Sequence, residues 1–148
     1  METNNKPRRW RTPPSPWRPG CTSPGVSTVL RVDTDASESF GGTDAGPQPL
    51  RFLLLGVAGC TAMDVISILR KKRQRVSGLE VEAQATRVDE HPKVYGAIEL
   101  IYRVRGKDID PRAVERAIEL SETRYCPAIA MVGKAARIDS RYEIEEVD

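Results

Sequence analysis

The longest apolar run spans residues 49–73, PLRFLLLGVAGCTAMDVISILRKKR, and its spacing predicts a helix. Leu53, Gly56, Cys60 and Asp64 recur at three- and four-residue steps, which places them on one helical face. Pro49 suits a first turn, and Arg70 to Arg73 suit a C-terminus, where cations meet unpaired carbonyls. Such a helix would be about 37 Å long, too long for a small domain to cover without sheet or a partner subunit wrapped around it.

The pattern then changes period. Leu79, Val81, Ala83 and Ala85 alternate with Glu80, Glu82, Gln84 and Thr86, and Ile98, Leu100, Tyr102 and Val104 alternate with Glu99 and Arg103. These are two half-buried strands, entered through a Ser77-Gly78 turn and joined by the polar His91-Pro92 turn, hence an antiparallel pair. Asp110-Pro111 caps a second helix, with Ala113, Val114, Ala117, Ile118 and Ser121 on one face. Pro127 forces a break, so Cys126 becomes the N-cap of a short helix, AIAMVGK, whose free amides favour a thiolate. Ile138, Tyr142 and Ile144 mark a last strand. Upstream, Val26–Val32 can form one strand, and DTDASESFGGTDAGPQP is a loop leading into the long helix.

Composition divides the chain. Residues 1–25 carry six prolines and no periodicity, and read as a disordered Pro/Arg-rich tail. Residues 26–148 form a single domain. Five basic residues against Glu2 alone make the tail the source of the formal charge of +2. The domain itself is net acidic and has no claim to a nucleic-acid surface. Arg70–Arg75 reads as a solvated helix end. The apolar run holds Asp64 and is followed by no second span, which favours a core helix over a membrane helix. Three widely spaced cysteines make no disulfide framework, and a reduced, cytoplasmic setting is expected. No cysteine pair has zinc spacing, and the single histidine, His91, lies in a turn, so a metal site is not expected.

Two residues carry candidate chemistry. Cys60 is set among Gly56, Ala58, Gly59, Thr61 and Ala62, small residues that admit another backbone and leave little room for water. A free cysteine there is either a small buried hydrophobe or a reactive thiol. Cys126 is the second; Cys21, in the tail, has no assigned role.

The order of elements, with Gly59-Cys60-Thr61-Ala62-Met63-Asp64-Val65 and Tyr125-Cys126-Pro127, resembles the OsmC/Ohr family of bacterial thiol peroxidases. Gly46-Pro47-Gln48-Pro49, His91-Pro92-Lys93-Val94 and Arg105-Gly106-Lys107-Asp108 extend the resemblance, which runs from about Val29 to Ile144. It implies an α+β subunit, an antiparallel sheet wrapped on the long central helix, that forms an intertwined homodimer with the central helices buried between sheets of both chains and needs no metal or other cofactor. It implies Cys60 as the peroxide-attacking cysteine and Cys126 as the resolving one, joined in a disulfide that an external dithiol reduces. The small, apolar surroundings of Cys60 point to organic hydroperoxides. Two features depart from the family. No carboxylate lies between Pro49 and Cys60, Arg51 standing where one common form of the motif has an acid. The N-terminal hairpin that brings an arginine to the cysteine is missing, its place taken by the tail. These departures motivate an alternative, a non-enzymatic dimer serving as a redox-responsive or small-molecule-binding scaffold.

Overall fold

The computed structural model describes residues 33–147. The tail, Cys21 and the strand expected over Val26–Val32 lie outside the described residues. The chain divides into two compact units, Met1–Phe52 and Leu53–Asp148.

In the first unit the loop is organised by one carboxylate. Asp35, buried, accepts hydrogen bonds from the amides of Ala36 (2.8 Å), Thr43 (2.9 Å) and Ala45 (3.0 Å) and from the Thr43 hydroxyl (2.7 Å). The Thr43 hydroxyl first, then these amides, hold its carboxyl well below the usual carboxylate range. Gly42 is required at this turn, because a Cβ there would stand 1.8 Å from the Ala36 carbonyl oxygen.

Helix α1 spans Arg51–Lys71, shorter at both ends than the apolar pattern predicts. It closes with a Schellman motif: the Gln74 amide bonds to the Leu69 carbonyl (3.0 Å) and that of Arg73 to the Arg70 carbonyl (2.9 Å). Arg73 takes the left-handed conformation this requires, at φ 57°. Strand β1 (Arg75–Arg87) therefore begins earlier than expected, and Gly78 sits at a bulge inside it rather than in a turn. By length and composition α1 is apolar enough to cross a membrane, a test that the core helix of a globular protein also passes.

Strand β1 pairs antiparallel with β2 (Tyr95–Lys107), as the alternation predicts. Strand β3 (Arg137–Glu146) then pairs parallel to β2, so the sheet is mixed, in the order β1-β2-β3, rather than antiparallel throughout. The reason is the connection. Between β2 and β3 run α2 (Pro111–Leu120), a π-helical turn (Ser121–Tyr125) and α3 (Pro127–Val132), long enough for the crossover that parallel strands need.

The inward residues of β2, Ile98, Leu100, Tyr102 and Val104, are fully buried. They share one core with Ala113, Val114, Ala117 and Ile118 of α2 and with Val57, Val65 and Leu69 of α1. Full burial of side chains such as Val65 and Leu69 stabilises by about 1.5–3 kcal/mol each. The outer face is a lattice of charges, with Arg103 paired to Glu80, Glu82 and Glu143, and Arg105 to Glu80 and Glu145. Ile101 is buried outside the main core, flanked across the sheet by Glu82 and Arg141, whose stems shield it.

Candidate active site

The two candidate cysteines come from different elements. Cys60 lies midway along α1, half-buried beside the face formed by Val57, Ala58, Thr61, Val65 and Leu69. The expected face of Leu53, Gly56, Cys60 and Asp64 is thus the margin of the buried stripe, with Leu53 exposed. Cys126 is buried at the N-cap of α3, held extended (φ −79°, ψ 104°) by the proline that follows. Its amide bonds back to the Ser121 carbonyl at 2.8 Å, closing the π-helical turn.

This turn, with the packing of α2 on the sheet, brings Cys126 to Cys60. The Cys60 sulfur is a hydrogen-bond partner of the Cys126 thiol, and both cysteines are free thiols. The amides of Ile129 and Ala128 point at the Cys126 sulfur and favour its thiolate, as the N-cap position predicts. Burial outweighs them, and the neighbouring Cys60 acts in the same sense, so the thiol is pushed up to about 11. The amides thus act in the expected direction, but at the N-terminus of a six-residue helix they do not offset desolvation.

Around the sulfurs runs a chain of buried hydroxyls that sequence reasoning did not single out. Thr61, next to Cys60, lies 2.8 Å from the Tyr102 hydroxyl and 2.9 Å from that of Ser121. Ser121 donates to Asp64 Oδ2 at 3.2 Å, reaching back to α1. Burial raises the Tyr102 phenol well above its ordinary range, with the Thr61 hydroxyl opposing and the charges of Glu122 and Cys126 adding to the rise. Glu122 lies beside the hydroxyls of Ser140 and Tyr102, and burial holds its carboxyl above the usual value. Its Oε1 is buried without a hydrogen-bond partner. One signal was available in the sequence: Ser121 is a serine on an otherwise apolar helix face.

Other candidates are not brought to this centre. His91 is exposed in the β1–β2 loop, and Arg51 is exposed in the first turn of α1. No group of three metal-ligating side chains occurs among the described residues. Gly56 and Gly59, beside Cys60, face open space.

The chain is similar to known proteins in both sequence and fold. A family model described as OsmC-like protein matches residues 42–141, which takes in both cysteines. Protein YhfA of Escherichia coli K12 is 40% identical over 101 residues, 68% of this chain and 75% of its own length. Among solved structures, a hypothetical protein from Aquifex aeolicus VF5 superposes with a TM-score of 0.67 at 31% identity, covering 74% of this chain and 85% of that one. The organic hydroperoxide resistance protein OhrB of Bacillus subtilis shares the fold, with a TM-score of 0.56 at 17% identity over 78% of this chain and 84% of its own. With the family model matched over residues 42–141 and similarity at 40% and 31% identity beside it, the chain is a member of the OsmC/Ohr family.

Proposed function

We propose that this protein reduces organic hydroperoxides with a pair of cysteines. The Cys60 sulfur displaces the distal oxygen of ROOH, releasing the alcohol ROH and leaving a sulfenic acid. Cys126 then attacks that sulfur, forming the Cys60–Cys126 disulfide and water, and an external dithiol restores both thiols. The single observation behind this reading is the meeting of two sulfurs 66 positions apart in sequence, one on α1 and the other at the start of α3. The hydroperoxide-resistance names of fold neighbours such as OhrB point the same way.

The reading includes a homodimer. Leu55 (66% exposed) and Met63 (71% exposed) stand out of α1, and Met63 and Ile66 line an apolar groove of about 290 Å³ with Val76 and Leu79 of β1. A second α1 supplies the apolar cover that such a surface lacks in one chain.

The test is consumption of tert-butyl hydroperoxide by the purified protein with a dithiol. The wild type is expected to turn over repeatedly, Cys60→Ser to lose all activity, and Cys126→Ser to stop at a Cys60 sulfenate. Undiminished turnover by Cys60→Ser removes Cys60 from the mechanism. The absence of an acid between Pro49 and Cys60, with Arg51 exposed in the first turn of α1, favours the alternative of a non-enzymatic redox-responsive or ligand-binding scaffold. That alternative expects one stoichiometric disulfide and no turnover.

A further inference from the structure

Ser121 is bonded toward both cysteines at once. Its carbonyl accepts the Cys126 amide at 2.8 Å, the bond that closes the π-helical turn Ser121–Tyr125. Its hydroxyl lies 2.9 Å from that of Thr61, the peptide neighbour of Cys60, and donates to Asp64 Oδ2 at 3.2 Å. From the backbone of Cys126 to that of Cys60 the path thus runs through a single serine. The register of the turn makes this possible. In an α-helical turn the Cys126 amide would bond to the Glu122 carbonyl, and the residue holding Cys126 would not be the residue holding α1. The wider π-helical turn gives both tasks to Ser121.

The hydroxyls also order themselves. Ser121 donates its only proton to Asp64, so Thr61 donates to Ser121, and Tyr102, 2.8 Å away on β2, donates to Thr61. Thr61, Tyr102 and Ser121 are all fully buried, where no water takes the place of a lost partner. The chain of bonds therefore fixes the rotation and height of α1 against both β2 and the crossover.

We propose that Ser121, acting with Thr61, is the positioning residue of the cysteine pair. Its carbonyl and hydroxyl hold Cys126 at a set distance from Cys60, and so set the effective concentration of one thiol toward the other and the stability of the disulfide between them. Neither hydroxyl takes part in the bond changes. The proposal rests on the pairing of Cys60 with Cys126 in the peroxidase reading.

Equilibration of the full chain with glutathione tests it. One oxidised glutathione takes two electrons from the dithiol, giving the Cys60–Cys126 disulfide and two reduced glutathiones. The linked peptides are quantified by mass spectrometry after alkylation of free thiols, which keeps Cys21 out of the reading. No hydroperoxide enters, so the result is independent of turnover. Ser121→Ala and Thr61→Val each remove one hydroxyl at nearly unchanged shape. Both are expected to lower the equilibrium constant about tenfold or more, a rise of about 30 mV or more in potential. Thr61→Ser, which keeps the hydroxyl, should recover most of the loss. Ile98→Val takes a methyl group from the same core but leaves the hydroxyls alone; it should lower the urea midpoint and leave the glutathione equilibrium unchanged. Wild-type constants in Ser121→Ala and Thr61→Val overturn this proposal alone. So does a loss in Thr61→Ser or Ile98→Val as large as that in Thr61→Val. A wild type in which no ratio of the glutathiones links Cys60 to Cys126 overturns the pairing itself, and this proposal with it.

Discussion

Arg73 ends α1 in a conformation that L-residues adopt at a cost, φ 57°, because the Schellman motif needs a left-handed residue there. Its side chain is exposed and nothing in the motif depends on it. Arg73→Gly is therefore expected to stabilise the fold by about 0.5–1 kcal/mol, read as a higher urea midpoint at unchanged m-value. At Cys126 the local signals were legible: the proline, the N-cap and the short helix all follow from the sequence. Its protonation state was not, because the decisive effect, burial, comes from residues distant in sequence. The same holds for Thr61 and Tyr102, which meet across 41 positions to form a hydrogen bond that neither's local pattern implies.

At the scale of elements, periodicity located α1, α2, α3 and all three described strands. It left open which side of α1 is covered, and it misplaced how β3 joins the sheet. Apolar residues circle almost all of α1, so spacing alone leaves its orientation free; the hydroxyl chain to Tyr102 and Ser121 selects the side bearing Thr61. The opposite side is left with exposed Leu55 and Met63. If a second copy covers that side, the wild type sediments as a dimer and Met63→Glu, placing a charge in the groove, shifts it to monomer at micromolar concentration. A monomeric wild type would remove the dimer from the proposal. Strand β3 shows an alternating pattern that serves parallel and antiparallel pairing equally well; only the length of the crossover distinguishes them.

In the second unit a short sheet carries the crossover, and the two halves of the candidate centre arrive by separate routes. The β1–β2 hairpin pairs neighbours in sequence, whereas Cys126 rides on the crossover, far from Cys60 along the chain. Family likeness could pair the two cysteines from sequence, but the hydroxyl chain from Tyr102 through Thr61 to Ser121 needed the fold. That separation has a thermodynamic consequence. Joining residues 60 and 126 would tie off a large part of the chain, and by the loop-entropy model such a tether disfavours the unfolded ensemble by about 4 kcal/mol. Peroxide-treated protein, kept free of reductant, should then unfold on the order of 10 °C above the reduced form in a calorimetric scan. In a cell the oxidised molecule would be the more protease-resistant of the two, so that oxidant exposure itself would lengthen the life of the protein that answers it.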